Sequence, residues 1–163
     1  MDRIPENEAG PLLDLIELLE QREKLSKEQE KALREPYSRR IFETMMATGK
    51  TYGETTGSPG IALNTRDETE FKNHLHRIDN DLLAQIAIVR EGVDHYFNSG
   101  EFPPPYYAWR IGIILRKKKL YDLESRFCEG FSKHFFRGVG TRYIQISERA
   151  KKARQLASKT RND

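Results

Sequence analysis

An all-α chain is what the sequence predicts, and three observations predict it. Apolar residues recur at three- and four-residue steps over long stretches, the period of one helix face. Helix-start and helix-stop residues punctuate those stretches at the right places. The segment from Pro103 to Phe136, PPPYYAWRIGIILRKKKLYDLESRFCEGFSKHFF, reads as two amphipathic helices joined by a tight basic turn. Together they predict an antiparallel helical bundle closed by a C-terminal hairpin and a capping helix, one domain over residues 11–158.

The elements follow in order. Residues 1–10 carry no apolar pattern and are expected to be disordered. Pro11 suits a first helical position, where its missing N–H would be unpaired anyway. Leu12, Leu15, Ile16 and Leu19 then form a stripe, widened by Leu13 and Leu18. Ser26 with Gln29 has the spacing of a capping box. A charged helix is expected from there to Arg34, and a second from Pro36, because the residue before a proline resists helix. Tyr37, Ile41, Phe42 and Met45 give this second helix an apolar face.

Gly49 ends it. Residues 49–63 are rich in Gly and Thr and carry no helical period, which predicts a loop, with a short hairpin as the alternative. Thr65 with Glu68 is a second capping-box pair. Behind it Phe71, Leu75, Ile78, Leu82, Ile86, Val89, Val93 and Phe97 form the longest stripe in the chain. It predicts one helix to Asn98, with a possible kink at Asp79-Asn80-Asp81 and a stop at Gly100. Pro103 to Pro105 form a stiff link. Helices are then expected from Tyr106 to Lys118, from Asp122 as N-cap to Phe136, and from Thr141, the last with Ile146, Ala150, Ala153 and Ala157 inward. Residues 159–163 are expected to be a disordered tail.

Composition narrows the function classes. The chain has 37% hydrophobic and 33% charged residues, a polar balance that suits helices with wide solvated faces. Cys128 is the sole cysteine, so neither an internal disulfide nor a cysteine zinc site can form. The acidic start MDRIPENEAG lacks the apolar core of a signal peptide, and no apolar run reaches a membrane span of ~20 residues. These features predict a cytoplasmic protein with no membrane partner.

The net charge of +3 hides an asymmetry. Residues 1–100 hold 13 Lys and Arg against 19 Asp and Glu, a net −6; residues 101–163 hold 15 against 6, a net +9. The basic third contains Arg110, Lys117, Lys118, Lys119, Lys151, Lys152 and Arg154, a candidate patch for nucleic acid held through its backbone. Part of that charge is expected at a helix C-terminus, where cations meet the dipole.

Motifs that suggest catalysis do not survive inspection. TMMATGKT, Thr44 to Thr51, matches a phosphate loop only in its final Gly-Lys-Thr and lacks the preceding strand and following helix. Glu70 with His74 and Glu91 with His95 are four apart, whereas carboxylate-bridged metal bundles space Glu and His by three; the pairs read as surface contacts. The one place to look for chemistry is the Gly/Thr segment with Lys50, Tyr52 and Arg66. No cofactor or small-molecule substrate is implied, and the expectation is a protein that is not an enzyme.

Residues 106–136 resemble a tetratricopeptide-repeat hairpin. Ala108 takes the family's first large position, Ile111 and Gly112 its Leu-Gly pair, Leu115 its first aromatic position and Tyr121 the inter-helix aromatic. Glu124 stands where that family has Ala, and Phe131 where it has a small residue. The resemblance covers about a fifth of the chain, with no second copy at the 34-residue period; residues 141–158 could supply the first helix of a following repeat. It implies a scaffold whose first helix lines a groove with Tyr106, Trp109, Ile113 and Arg116. The groove would hold a protein partner, or a second copy of this chain through the stripe from Phe71 to Phe97.

Overall fold

The computed structural model describes residues 4–56 and 67–162, which form eight helices and no strand. They are α1 (Glu6–Gln21), α2 (Lys27–Thr48), α3 (Tyr52–Thr56), α4 (Glu68–Ile78), α5 (Leu82–Ser99), α6 (Pro105–Lys117), α7 (Tyr121–Phe135) and α8 (Thr141–Asn162). The all-α bundle is the fold. No helix among the described residues is long and apolar enough to cross a membrane.

α1 begins five residues earlier than its stripe predicts. Pro5, not Pro11, precedes its first turn, and residues 6–10, expected to be disordered, are helical. Pro11 lies inside the helix. It is exposed, as is Asn7, so the carbonyl that loses its donor faces water. The same reasoning joins the two helices expected around Pro36. α2 runs unbroken through it, because Pro36 and Ala32 both lie on the solvent side. The Ser26–Gln29 capping box closes its start in both directions, at 2.8 and 3.1 Å. At the other end of the chain α8 continues through residues 159–162, where a disordered tail was expected.

The long stripe is two helices rather than one. Asp81 caps α5 by accepting from the Ala84 N–H at 3.0 Å. The carbonyls left over at the end of α4 are taken by side chains: Gln85 donates to Ile78 at 2.8 Å, and Arg110 donates to Asp79 through Nε at 2.9 Å and Nη2 at 2.7 Å. An N-cap and two external donors make the break cheaper than a kink. Leu82, Ile86, Val89 and Val93 are buried within the fold, so that part of the stripe faces this chain's own core, not a second copy. α4 starts from Asp67, whose carboxylate accepts from the Thr69 N–H; Thr65 and residues 57–66 as a whole lie outside the described residues. In the Gly/Thr segment, where a loop with no helix after Lys50 was expected and a hairpin was the alternative, residues 52–56 form the short helix α3.

The core is built by α1, α5, α6, α7 and α8. α7 is central, with α1 on one flank and α8, packed most extensively of all, on the other. α6 and α7 form an antiparallel hairpin that sets Arg116 against Glu124 and Gly112 against Cys128. α7 and α8 are antiparallel too, setting Glu129 against Arg154 and Asp122 against Arg161. At the α6–α7 turn, Lys119 N–H donates to Arg116 O and Leu120 N–H to Leu115 O, a Schellman closure with Lys119 left-handed at φ 57°. Asp122 falls within α7, not at its cap, which is Leu120. Tyr96, Phe102, Phe135 and Tyr143 interlock edge to face in the middle of the core.

Candidate functional site

α6 and α8 run side by side and leave a groove of about 340 Å³ between them. Trp109 and Arg116 come from α6; Arg142, Gln145, Glu148, Arg149 and Lys152 come from α8. The α8 residues follow one face because 142, 145, 149 and 152 repeat at helical steps. Gly112 sets the width. A Cβ there would lie 2.9 Å from Arg149 Nε and 3.3 Å from Cys128 Sγ, so only glycine lets the α8 guanidinium lie against α6.

Beneath the groove sits a buried acid. Glu124 is fully buried and receives Arg116 in a two-point contact, Nε to Oε2 at 3.0 Å and Nη2 to Oε1 at 2.8 Å. Arg149 Nη2 reaches the same oxygen at 3.3 Å, and Arg116 Nη2 also donates to the Arg149 carbonyl at 3.2 Å. One carboxylate therefore ties α6, α7 and α8 together. Burial pushes the Glu124 carboxyl above its usual range, against the opposing pull of Arg116 and Arg149. Burial likewise lowers Arg149. Cys128 beside them is fully buried and its thiol is pushed up to about 12, again by burial.

At the mouth, the Arg142 guanidinium lies 3.9 Å from the centre of the Trp109 ring and 5.8 Å from the centre of the Tyr106 ring. The lining holds four cations against Glu148, with Glu124 behind them, so positive charge is in excess. Such a lining can attract an anion beside the indole.

Comparison with family models, curated proteins and solved structures returns no match.

The structure distributes the predicted site residues unevenly. Trp109 and Arg116 line the groove, whereas Ile113 is half-buried outside it. Tyr106 borders it through Arg142 but spends its hydroxyl on the Asp79 carboxylate; burial, then that bond, push the phenol up to about 12. Arg110 is taken up by the α4 terminus. Of the basic patch, Lys152 alone lines the groove. Lys151 faces the opposite side of α8, in a depression of about 350 Å³ with Ser132 and Phe136. Arg154 is paired with Glu129, and Lys117, Lys118 and Lys119 end α6 away from the groove lining. Arg142, Gln145 and Glu148 were missed by sequence reasoning. Their spacing on the helix from Thr141 carried the signal, but nothing in the sequence announced that α8 would lie against α6.

A larger opening of about 980 Å³ separates α2 from Phe102, Val139 and Tyr143. Most of its charges are paired: Glu30 is held by Arg137 at 2.8 Å, and Lys31 lies 3.7 Å from Glu35. Glu101 there accepts from Tyr52 and meets His95 at 3.1 Å, which gives His95 a partner other than the expected Glu91. The groove between α6 and α8, by contrast, gathers four cations beside one indole.

Proposed function

We propose that this chain is a helical interaction module whose groove between α6 and α8 holds an acidic segment of a protein partner. The observation that carries the reading is the excess of cations around Trp109, in a groove open to solvent. The resemblance of residues 106–136 to a tetratricopeptide hairpin supports it, since α6 and α8 would then be first helices of successive repeats lining one concave face. A protein segment suits the groove better than a nucleic-acid strand. Arg110, Arg116 and Arg154 are engaged within the fold, Lys151 faces away, and Lys117, Lys118 and Lys119 lie outside the groove lining, so among the described residues the basic patch is divided rather than laid along one track for a phosphate backbone. The Trp109 face is already covered by Arg142, so it offers no open platform for a base.

Trp109 is the only tryptophan in the chain and reports directly on the site. An acidic, leucine-containing peptide should change its fluorescence saturably, and a sequence-matched neutral peptide should not. Lys152→Glu should weaken the acidic peptide at least about tenfold, since like charges brought together cost more than ~1.4 kcal/mol. Equal affinity in that variant would remove the groove as the site. Tighter binding of single-stranded nucleic acid than of the peptide, at equal salt, would replace this reading with the nucleic-acid one.

A further inference from the structure

α1 is amphipathic in an unusual way. Its inner face, Leu12, Leu15, Ile16 and Leu19, is fully buried. Its outer face repeats at helical steps as Glu6, Gly10, Leu13, Asp14 and Glu17, all exposed, with Leu13 38% exposed in the middle of the acids. Glu20, on the flank, is taken by Arg126 at 2.7 Å. Glu6, Asp14 and Glu17 form no ion pair among the described residues. The acidic half of the chain therefore presents an acidic face with one apolar side chain, on which Glu17 feels the charge of Arg126, and the basic half presents a groove with cations in excess and one indole.

We propose that the groove's partner is a second copy of this chain, the outer face of α1 in one molecule docking on the α6–α8 groove of the next. The inference rests on the reading of the groove as a site for an acidic protein segment, and it names that segment. The spacing supports it. At ~1.5 Å rise per residue, Glu6 to Glu17 spans about 16 Å along α1, and Arg142 to Lys152 spans about 15 Å along α8. Acids at the two ends of one face meet cations at the two ends of the other, Glu6 at the Arg142 end and Glu17 at the Lys152 end. α7 lies between α1 and α8, so each molecule holds its own α1 face away from its own groove. The contact is then heterologous, head to tail, and each added molecule leaves one α1 face and one groove open.

Sedimentation velocity of the full chain over a concentration series tests this. Association should be visible at low ionic strength and should collapse toward monomer near ~1 M salt, where the screening length is ~3 Å. Glu17→Lys and Lys152→Glu, both at exposed positions, should each be monomeric alone. An equimolar mixture of the two variants should associate again, because the mixture contains one wild-type pairing and one charge-swapped pairing. A chain that is monomeric at all salts overturns the inference, as does an oligomer that either single variant leaves intact. Where the wild-type chain is monomeric but the acidic peptide still perturbs Trp109, the partner is a different protein and the groove keeps its function. Where both fail, the reading of the groove falls too.

Discussion

At the scale of the residue, Glu124 is the informative position. It stands where the tetratricopeptide hairpin that this segment resembles has Ala, and the two arginines that answer it, Arg116 and Arg149, lie eight and twenty-five residues away. Sequence shows the anomaly but not its solution, because the solution needs α8 to fold back beside α6. Glu124→Ala should destabilise the fold by about 3–5 kcal/mol in urea unfolding, since two arginines lose their shared partner. Replacing Arg149 with Met in that background should recover part of the loss, as the two sites are in contact. His134 behaves oppositely to a surface histidine. It is 1% exposed and its Nε2 donates to Leu19 O at 2.8 Å, and burial lowers its pKa, with Lys133, Arg22 and Lys24 adding to the shift. The unfolded chain then binds the proton more readily, near pH ~6.5. This contribution to stability is complete above that pH and is lost as pH falls through the lower folded value. Urea midpoints compared between pH 7 and pH 5 should fall less in His134→Gln than in the wild-type chain.

At the scale of the element, periodicity located the apolar faces of α1, α5, α6 and α8 and failed at the breaks. The stripe from Phe71 to Phe97 keeps its phase across Asp79 and Asp81, so no periodicity argument can show that the backbone stops there; Arg110 and Gln85 decide it. α2 is the reverse case. Its 22 residues bury only Glu30 and Ile41, and it is tied down by polar contacts: Glu30 accepts from Tyr96 at 2.7 Å and from Arg137 at 2.8 Å, and Arg34 donates to the Gly100 carbonyl at 3.3 Å. Gly100 allows this both by its φ of 73° and because a Cβ would sit 2.5 Å from the Glu30 carbonyl. A helix held this way opens by itself. Glu30→Ala should raise amide exchange across residues 27–48 while leaving protection in α6 and α7 near wild type, as read by hydrogen-exchange mass spectrometry.

At the scale of the molecule, the charge division between the two halves was legible from where the charges fall along the sequence, and the all-α class from the three- and four-residue apolar period. The groove was half legible. Trp109 and Arg116 were visible from the α6 pattern, whereas the α8 side depended on which two helices of three become neighbours. The seven basic residues that looked like one patch scatter over several surroundings, because adjacent residues on a helix point about 100° apart and tertiary partners claim some of them. Order along the chain matters in another way. α6, α7 and α8 are sequence neighbours and can close on each other as soon as they exist. α1 cannot. Its last carbonyls, at Leu19, Glu20 and Arg22, are capped by Lys133 and His134, and His134 lies 115 residues downstream of Leu19. At ~5–20 residues per second, a ribosome needs on the order of ten seconds to deliver that cap. For that interval the four buried leucine and isoleucine side chains of α1 can meet α5 but not yet α7, so one flank of the helix waits uncovered for its cap.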